Sequence, residues 1–147
     1  AGSTRGVGRA RAQTMGQPLM RWLLDTNVWI DSHAGRVDAC RVFSKARAAQ
    51  GAWVGFSAMT RLEVLGHSGL SAMDDKALRA LLAQFEEVQV LPAVIDEAIR
   101  LRRSYKLKSP DAIIAATALL QRMEVVTRNT SDFNKVAGLS VLDTASF

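Results

Sequence analysis

The sequence predicts an α/β sandwich around a central, mostly parallel sheet of four to five strands. Short apolar runs at 22–24, 52–56, 88–91 and 125–127 alternate with longer segments whose apolar residues recur at helical spacing. Parallel strands need a crossover, and a helix between each pair of strands supplies one. One helical segment, 112–120, carries no charge at all, as expected where a helix is buried on most sides. At 147 residues, 48% of them apolar, the chain has room for one domain with a sizeable core and none for a comfortable second.

The first strand ends abruptly. In LLDTN, residues 23–27, two leucines give way to an acid, a hydroxyl and an amide, which is helix-capping chemistry and predicts a short helix over 28–32. In open sheets of this kind ligands gather beyond the carboxyl ends of the strands. Asp25 is therefore either a plain N-cap or a functional acid.

A second helix is expected over 37–50, with Val37, Cys40 and Phe43 inward and Gly51 ending it. Ser57 caps a helix that runs to about Leu65, and the small, polar stretch 66–72 reads as a loop. Leu78, Leu81, Leu82 and Phe85 mark a helix over 74–87, with Asp74 and Asp75 where the helix dipole favours acids. Pro92 opens the next helix, with Val94, Ala98, Leu101 and Tyr105 on one face, and Ser109–Pro110 restart a helix with Asp111 at its entrance. A fourth strand ends at Thr127, a polar turn leads to Asp132 and Phe133, and 139–142 is expected to form a fifth strand.

Composition narrows the function classes. No apolar stretch is long enough to span a membrane, and the protein is expected to be soluble and cytoplasmic. The lone Cys40 excludes an intrachain disulfide and a cysteine-based zinc cage, and its helical position predicts a buried structural thiol. His33 and His67 form no ligand-spaced pair and are expected at the surface. The net charge of +5 is partly local. Residues 1–19 hold Arg5, Arg9 and Arg11 and no acid, leaving 16 basic and 14 acidic residues in 20–147. That first segment, rich in Gly, Ala, Arg and Ser, is expected to be a disordered basic extension, an expression scar or a transit peptide.

Four acids stand out by position rather than by type. Asp25 and Asp132 follow strands, while Glu63 and Asp111 are expected in the first turns of helices entered from the same side. Each has an ordinary explanation. Glu63 suits a solvated acid or a partner of Arg61, Asp111 suits a helix dipole and Asp132 a cap. Together, such positions can converge at one end of a parallel sheet. Carboxylates so gathered repel one another unless a cation neutralises them, and an all-oxygen donor set selects Mg²⁺ or Mn²⁺.

Four stretches, LLDTNVWID at 23–31, RLEVL at 61–65, SPDAIIAATAL at 109–119 and TRNTSDF at 127–133, resemble the PIN-domain ribonucleases, and within them the VapC-like toxins of toxin–antitoxin pairs. The likeness runs from about Met20 to the C-terminus. It implies a PIN-like domain over 20–147, with Asp25, Glu63, Asp111 and Asp132 as the acidic metal site and Thr26 positioning it. Thr127 and Asn129 lie in the turn before the fourth acid. It also implies metal-dependent endonucleolytic cleavage of RNA, inhibition by an antitoxin protein and a homodimer, for which Trp29 or Trp53 is an expected contact. With one or two metal ions activating water, no nucleophilic side chain is needed. In the run LRRSYKLK, 101–108, Arg102, Arg103, Lys106 and Lys108 either hold RNA phosphates or form a solvated helix face. The competing readings are a PIN-like module that binds without cutting and a structure-specific DNA nuclease.

Overall fold

The computed structural model describes residues 20–147, in which five strands form one sheet with every pairing parallel. The extension expected over 1–19 lies outside the described residues. The strands are β1 (Arg21–Leu24), β2 (Trp53–Ser57), β3 (Glu86–Val88), β4 (Glu124–Thr127) and β5 (Val141–Asp143), in the spatial order β3-β2-β1-β4-β5. After β1 the chain steps one way to β2 and β3, then returns to the other side of β1 for β4. The strand order therefore reverses between β1 and β4, the crevice where open parallel sheets place their ligands.

Seven helices cover the sheet: α1 (Thr26–His33), α2 (Val37–Ala48), α3 (Ala58–Leu65), α4 (Ala72–Leu82), α5 (Pro92–Ser104), α6 (Ser109–Gln121) and α7 (Thr130–Phe133). Strand alternation divides the core in two. Leu23 and Val125 face Val94, Leu101, Ile114 and Phe133, while Trp22, Leu24 and Val126 face Val28, Trp29, Phe43 and Leu78. Helix α6 buries seven consecutive residues, Ala112 to Ala118, as its lack of charge predicts. Among the described residues no helix is long and apolar enough to cross a membrane.

Several boundaries differ from expectation for local reasons. Helix α1 starts at Thr26, two residues early, because Asp25 itself takes the N-cap position and accepts from the Thr26 N–H. Helix α4 stops at Leu82 rather than 87, and the third strand is Glu86–Val88 rather than 88–91. It is short because only Gly55, Phe56 and Ser57 of β2 pair with it. Gly55 permits that approach: a Cβ there would collide with the Glu86 carbonyl oxygen. Helix α2 ends at Ala48 and turns Ala39, Val42, Phe43 and Ala46 inward, so Val37 is exposed and Cys40 only half-buried.

Trp29 is not available to a second subunit. It is fully buried, its indole N–H donates to the Leu24 carbonyl, and it packs edge-on against Phe43, Phe56 and Phe85 at ring separations of 5.0, 5.1 and 5.6 Å. These contacts tie α1, α2 and β2 together behind the sheet edge that carries Asp25. Trp29→Ala should destabilise the fold by about 3–5 kcal/mol in chemical denaturation. A loss under ~1 kcal/mol would show that this cluster is not a keystone of the packing.

Candidate active site

The β1–β4 crevice is lined by the carboxyl ends of both strands. Leu24 pairs with Val126, and the Asp25 N–H extends the ladder to the Val126 carbonyl at 3.0 Å. Asp25 and Thr127 thus emerge side by side. The Thr127 hydroxyl donates to Asp25 Oδ2 at 2.8 Å and accepts from the Asn27 amide at 3.1 Å and the Asn129 N–H at 2.9 Å. One donor and two acceptor positions are all in use, which fixes the hydroxyl in place.

Asp25 is 4% exposed and receives three hydrogen bonds: from the Thr26 N–H (2.8 Å), the Asn27 amide (3.0 Å) and Thr127. Burial pushes its carboxyl up to about 6 against the relief these donors give, and the Asp111 and Glu63 charges push the same way.

Glu63 lies in the second turn of α3, not the first, and its partner is not Arg61, which pairs with Glu87 on β3. Instead Glu63 Oε1 accepts from the Thr26 hydroxyl at 2.7 Å, with the Thr60 hydroxyl 3.2 Å from the same oxygen of Thr26. Since Thr26 also opens α1, it links the first acid's helix to the second acid. Asp111, in the first turn of α6 and half-buried, has its carboxyl raised by burial and by the Asp132 and Glu63 charges, with Lys108 opposing.

Asp132 differs from the other three. It sits inside α7 rather than capping it, accepts from the Asn129 amide (2.9 Å) and pairs with Lys135 (3.2 Å). Those two hydrogen bonds hold its carboxyl below the usual range.

These mutual effects bring all four expected acids into one electrostatic cluster at the sheet edge. Among the described residues, however, no three His, Cys, Asp or Glu side chains stand close enough together to hold a metal ion as they are. The donor chemistry nonetheless fits a hard divalent cation. The donors are carboxylate oxygens alone, and two of them carry charge that burial and neighbouring anions disfavour. Of the four expected phosphate-binding cations, Lys108 acts on Asp111 and Asp132, while Arg103 and Lys106 are exposed. The Arg102 side chain is partly committed, donating to the Leu107 carbonyl at 3.2 Å across the α5–α6 connection.

The model of the PIN domain matches residues 22–139, a span that contains every one of these acids. The chain belongs to the PIN domain family. A toxin–antitoxin complex from Klebsiella pneumoniae contains a chain 34% identical to this PIN domain, with a TM-score of 0.69, covering 83% of this chain and 96% of that one. VapBC-1 from nontypeable Haemophilus influenzae (20% identity, TM-score 0.72, 86% and 99% covered) shares the fold. So does VapBC2 from Rickettsia felis bound to a promoter DNA fragment (17%, 0.73, 84% and 98%). Among curated proteins none matches the chain in sequence.

Reading the sequence missed Asn27, Thr60, Asp31 and Arg128, although each touches the residues just described or their turn. The usable signal was the spacing of Asn27 and Asp31, four residues apart and so on one face of α1.

The raised Asp25 carboxyl makes a signed prediction for metal-free protein. A folded-state value above the unfolded one gives stability that is complete below pH ~4 and is lost as pH rises to about 6. At pH 7 Asp25→Asn should therefore stabilise the metal-free domain by about 1–3 kcal/mol in denaturant melts. Destabilisation of similar size would mean that the hydrogen bonds to the charged carboxylate outweigh its burial.

Proposed function

We propose that this PIN domain is the toxin of a toxin–antitoxin pair and a Mg²⁺- or Mn²⁺-dependent endoribonuclease, acting in the cytoplasm. The single observation that carries the reading is the cluster of Asp25, Glu63, Asp111 and Asp132 at the β1–β4 switch point of a PIN fold. The toxin–antitoxin title of the 34%-identical Klebsiella pneumoniae structure supports a protein antitoxin as partner.

In this reading Asp25, Glu63, Asp111 and Asp132 would hold the cation, Asp25 from the end of β1 and the other three from helices. Bound there, the cation supplies Lewis-acid chemistry, lowering the pKa of an attacking water and stabilising the departing oxygen of the phosphodiester. The chain's own residues do the rest. Thr127, Asn27 and the Thr26 N–H hold Asp25 in one orientation, Thr26 orients Glu63, and Asn129 aims Asp132. Lys108, beside Asp111 and Asp132, steers a phosphate of the substrate, and Arg103 and Lys106 extend that path along the RNA backbone. No side-chain nucleophile takes part.

A second reading, a PIN module that binds RNA or protein without cutting, is favoured by one observation: among the described residues no three potential ligands stand at ligating spacing. Cleavage of labelled total RNA by wild type and by Asp25→Asn, with Mg²⁺ or Mn²⁺ and with EDTA, separates the two. The nuclease reading predicts discrete cuts that vanish with the chelator and in the folded variant. Cutting by Asp25→Asn at the wild-type rate would refute it. Under EDTA, Arg103→Ala and Lys106→Ala should each reduce the slope of log affinity against log salt by about 1 while leaving Mn²⁺ affinity intact. An unchanged slope would remove them from the RNA path.

A further inference from the structure

Asp31 is a buried acid, 8% exposed, that the proposed chemistry does not use. A carboxylate withdrawn from water needs partners, and its partner is Arg128. The guanidinium spans both carboxylate oxygens, with Nε to Oδ2 at 2.8 Å and Nη2 to Oδ1 at 3.4 Å, while Arg36 approaches only to 4.0 Å. One helical turn earlier on the same face of α1, Asn27 uses both ends of its amide. Its nitrogen donates to Asp25 and Thr127, and its oxygen accepts from the Arg128 N–H at 3.2 Å.

Residues four apart on one helix therefore grip the same residue of the turn between β4 and α7, Asn27 at the Arg128 backbone N–H and Asp31 at its guanidinium. The turn passes that constraint on. The Asn129 N–H donates to Thr127, and the Asn129 amide holds the Asp132 carboxylate. An unbroken series of contacts thus runs from Asp31 through Arg128 and Asn129 to Asp132, and another from Asn27 to Asp25. Helix α1 carries Asp25 at its start and grips the turn with its first two turns, so one element sets both sides of the crevice.

We propose that Asn27, Asp31 and Arg128 are positioning residues: together they clamp the β4–α7 turn so that Asp132 is held at a fixed distance from Asp25. The proposal rests on the cation-dependent reading of the site and deepens it. Arg128 serves the cation site indirectly, through Asn129 and Asp132, rather than as a cation for RNA phosphate. Arginine suits the role because its planar fork makes both bonds to Asp31, which a lysine ammonium cannot do.

The test is the Mn²⁺ dissociation constant, measured by calorimetry without RNA on wild type, Arg128→Met, Arg128→Lys and Asp31→Asn, each confirmed folded by circular dichroism. Partners that orient ligands typically change metal affinity by 10–100-fold. We expect about 10-fold weaker Mn²⁺ binding in Arg128→Met and Asp31→Asn, and an intermediate loss in Arg128→Lys, which keeps the charge and one bond. Should Arg128→Met fail to fold, the intermediate loss in Arg128→Lys carries the test. Folded variants that bind Mn²⁺ within twofold of wild type overturn the clamp, even if they melt earlier. Loss of RNA affinity at unchanged Mn²⁺ affinity also overturns it and assigns Arg128 to the substrate. Failure of the wild type to bind Mn²⁺ is a distinct result that removes the nuclease reading and the clamp's role with it.

Discussion

The buried carboxylate of Asp25 is the constraint around which this structure is arranged. It stands where the strand order reverses, at the end of a strand whose neighbours on both sides are parallel. It is simultaneously the N-cap of α1 and the acceptor of three hydrogen bonds, so its place is fixed by the sheet, by the helix and by the opposite strand. Such over-determination is what allows a charge that burial disfavours to persist. Stability given up at one point is a common signature of a site built for something other than folding.

The two halves of the core support the four acids in different ways. Behind Asp25, Trp29 joins α1, α2 and β2 through three aromatic contacts, and α6 behind Asp111 is buried along seven consecutive residues. Asp132, by contrast, sits on a four-residue helix reached through a polar turn. The neighbouring Phe133 anchors that helix in the core, and hydrogen bonds from Asn129 and Lys135 set the carboxylate. All four acids stand on elements packed into the core, and α1 in addition grips the turn that leads to the fourth.

Much of this was legible from the amino-acid order. Alternation of apolar runs with helical segments gave the layered architecture, and the break at LLDTN placed Asp25 at a strand end. The uncharged stretch 112–120 announced a buried helix. Periodicity failed where tertiary packing decides. Phe85 follows the helical spacing of Leu78 and Leu82, yet the chain leaves the helix at Leu82 so that Glu86–Val88 can pair with β2. Val37 fits the spacing of Cys40 and Phe43, but the buried face of α2 is shifted to Ala39, Val42 and Ala46. Trp29, expected as a subunit contact, is instead in the core. Its burial depends on Phe43, Phe56 and Phe85, which are 14 or more positions away along the chain. Asp31 and Arg128 escaped notice for the same reason: 97 positions apart, they meet only because β4 returns beside β1.

We propose that the four carboxylates share one divalent cation site in the crevice between β1 and β4. Its most direct measurement is the anomalous difference map at the manganese edge from crystals grown with Mn²⁺. A shared site gives a peak bounded by Asp25, Glu63, Asp111 and Asp132, with carboxylate oxygens at about 2.0–2.3 Å from it. No peak in that crevice at saturating Mn²⁺, or manganese held only elsewhere on the molecule, would contradict it.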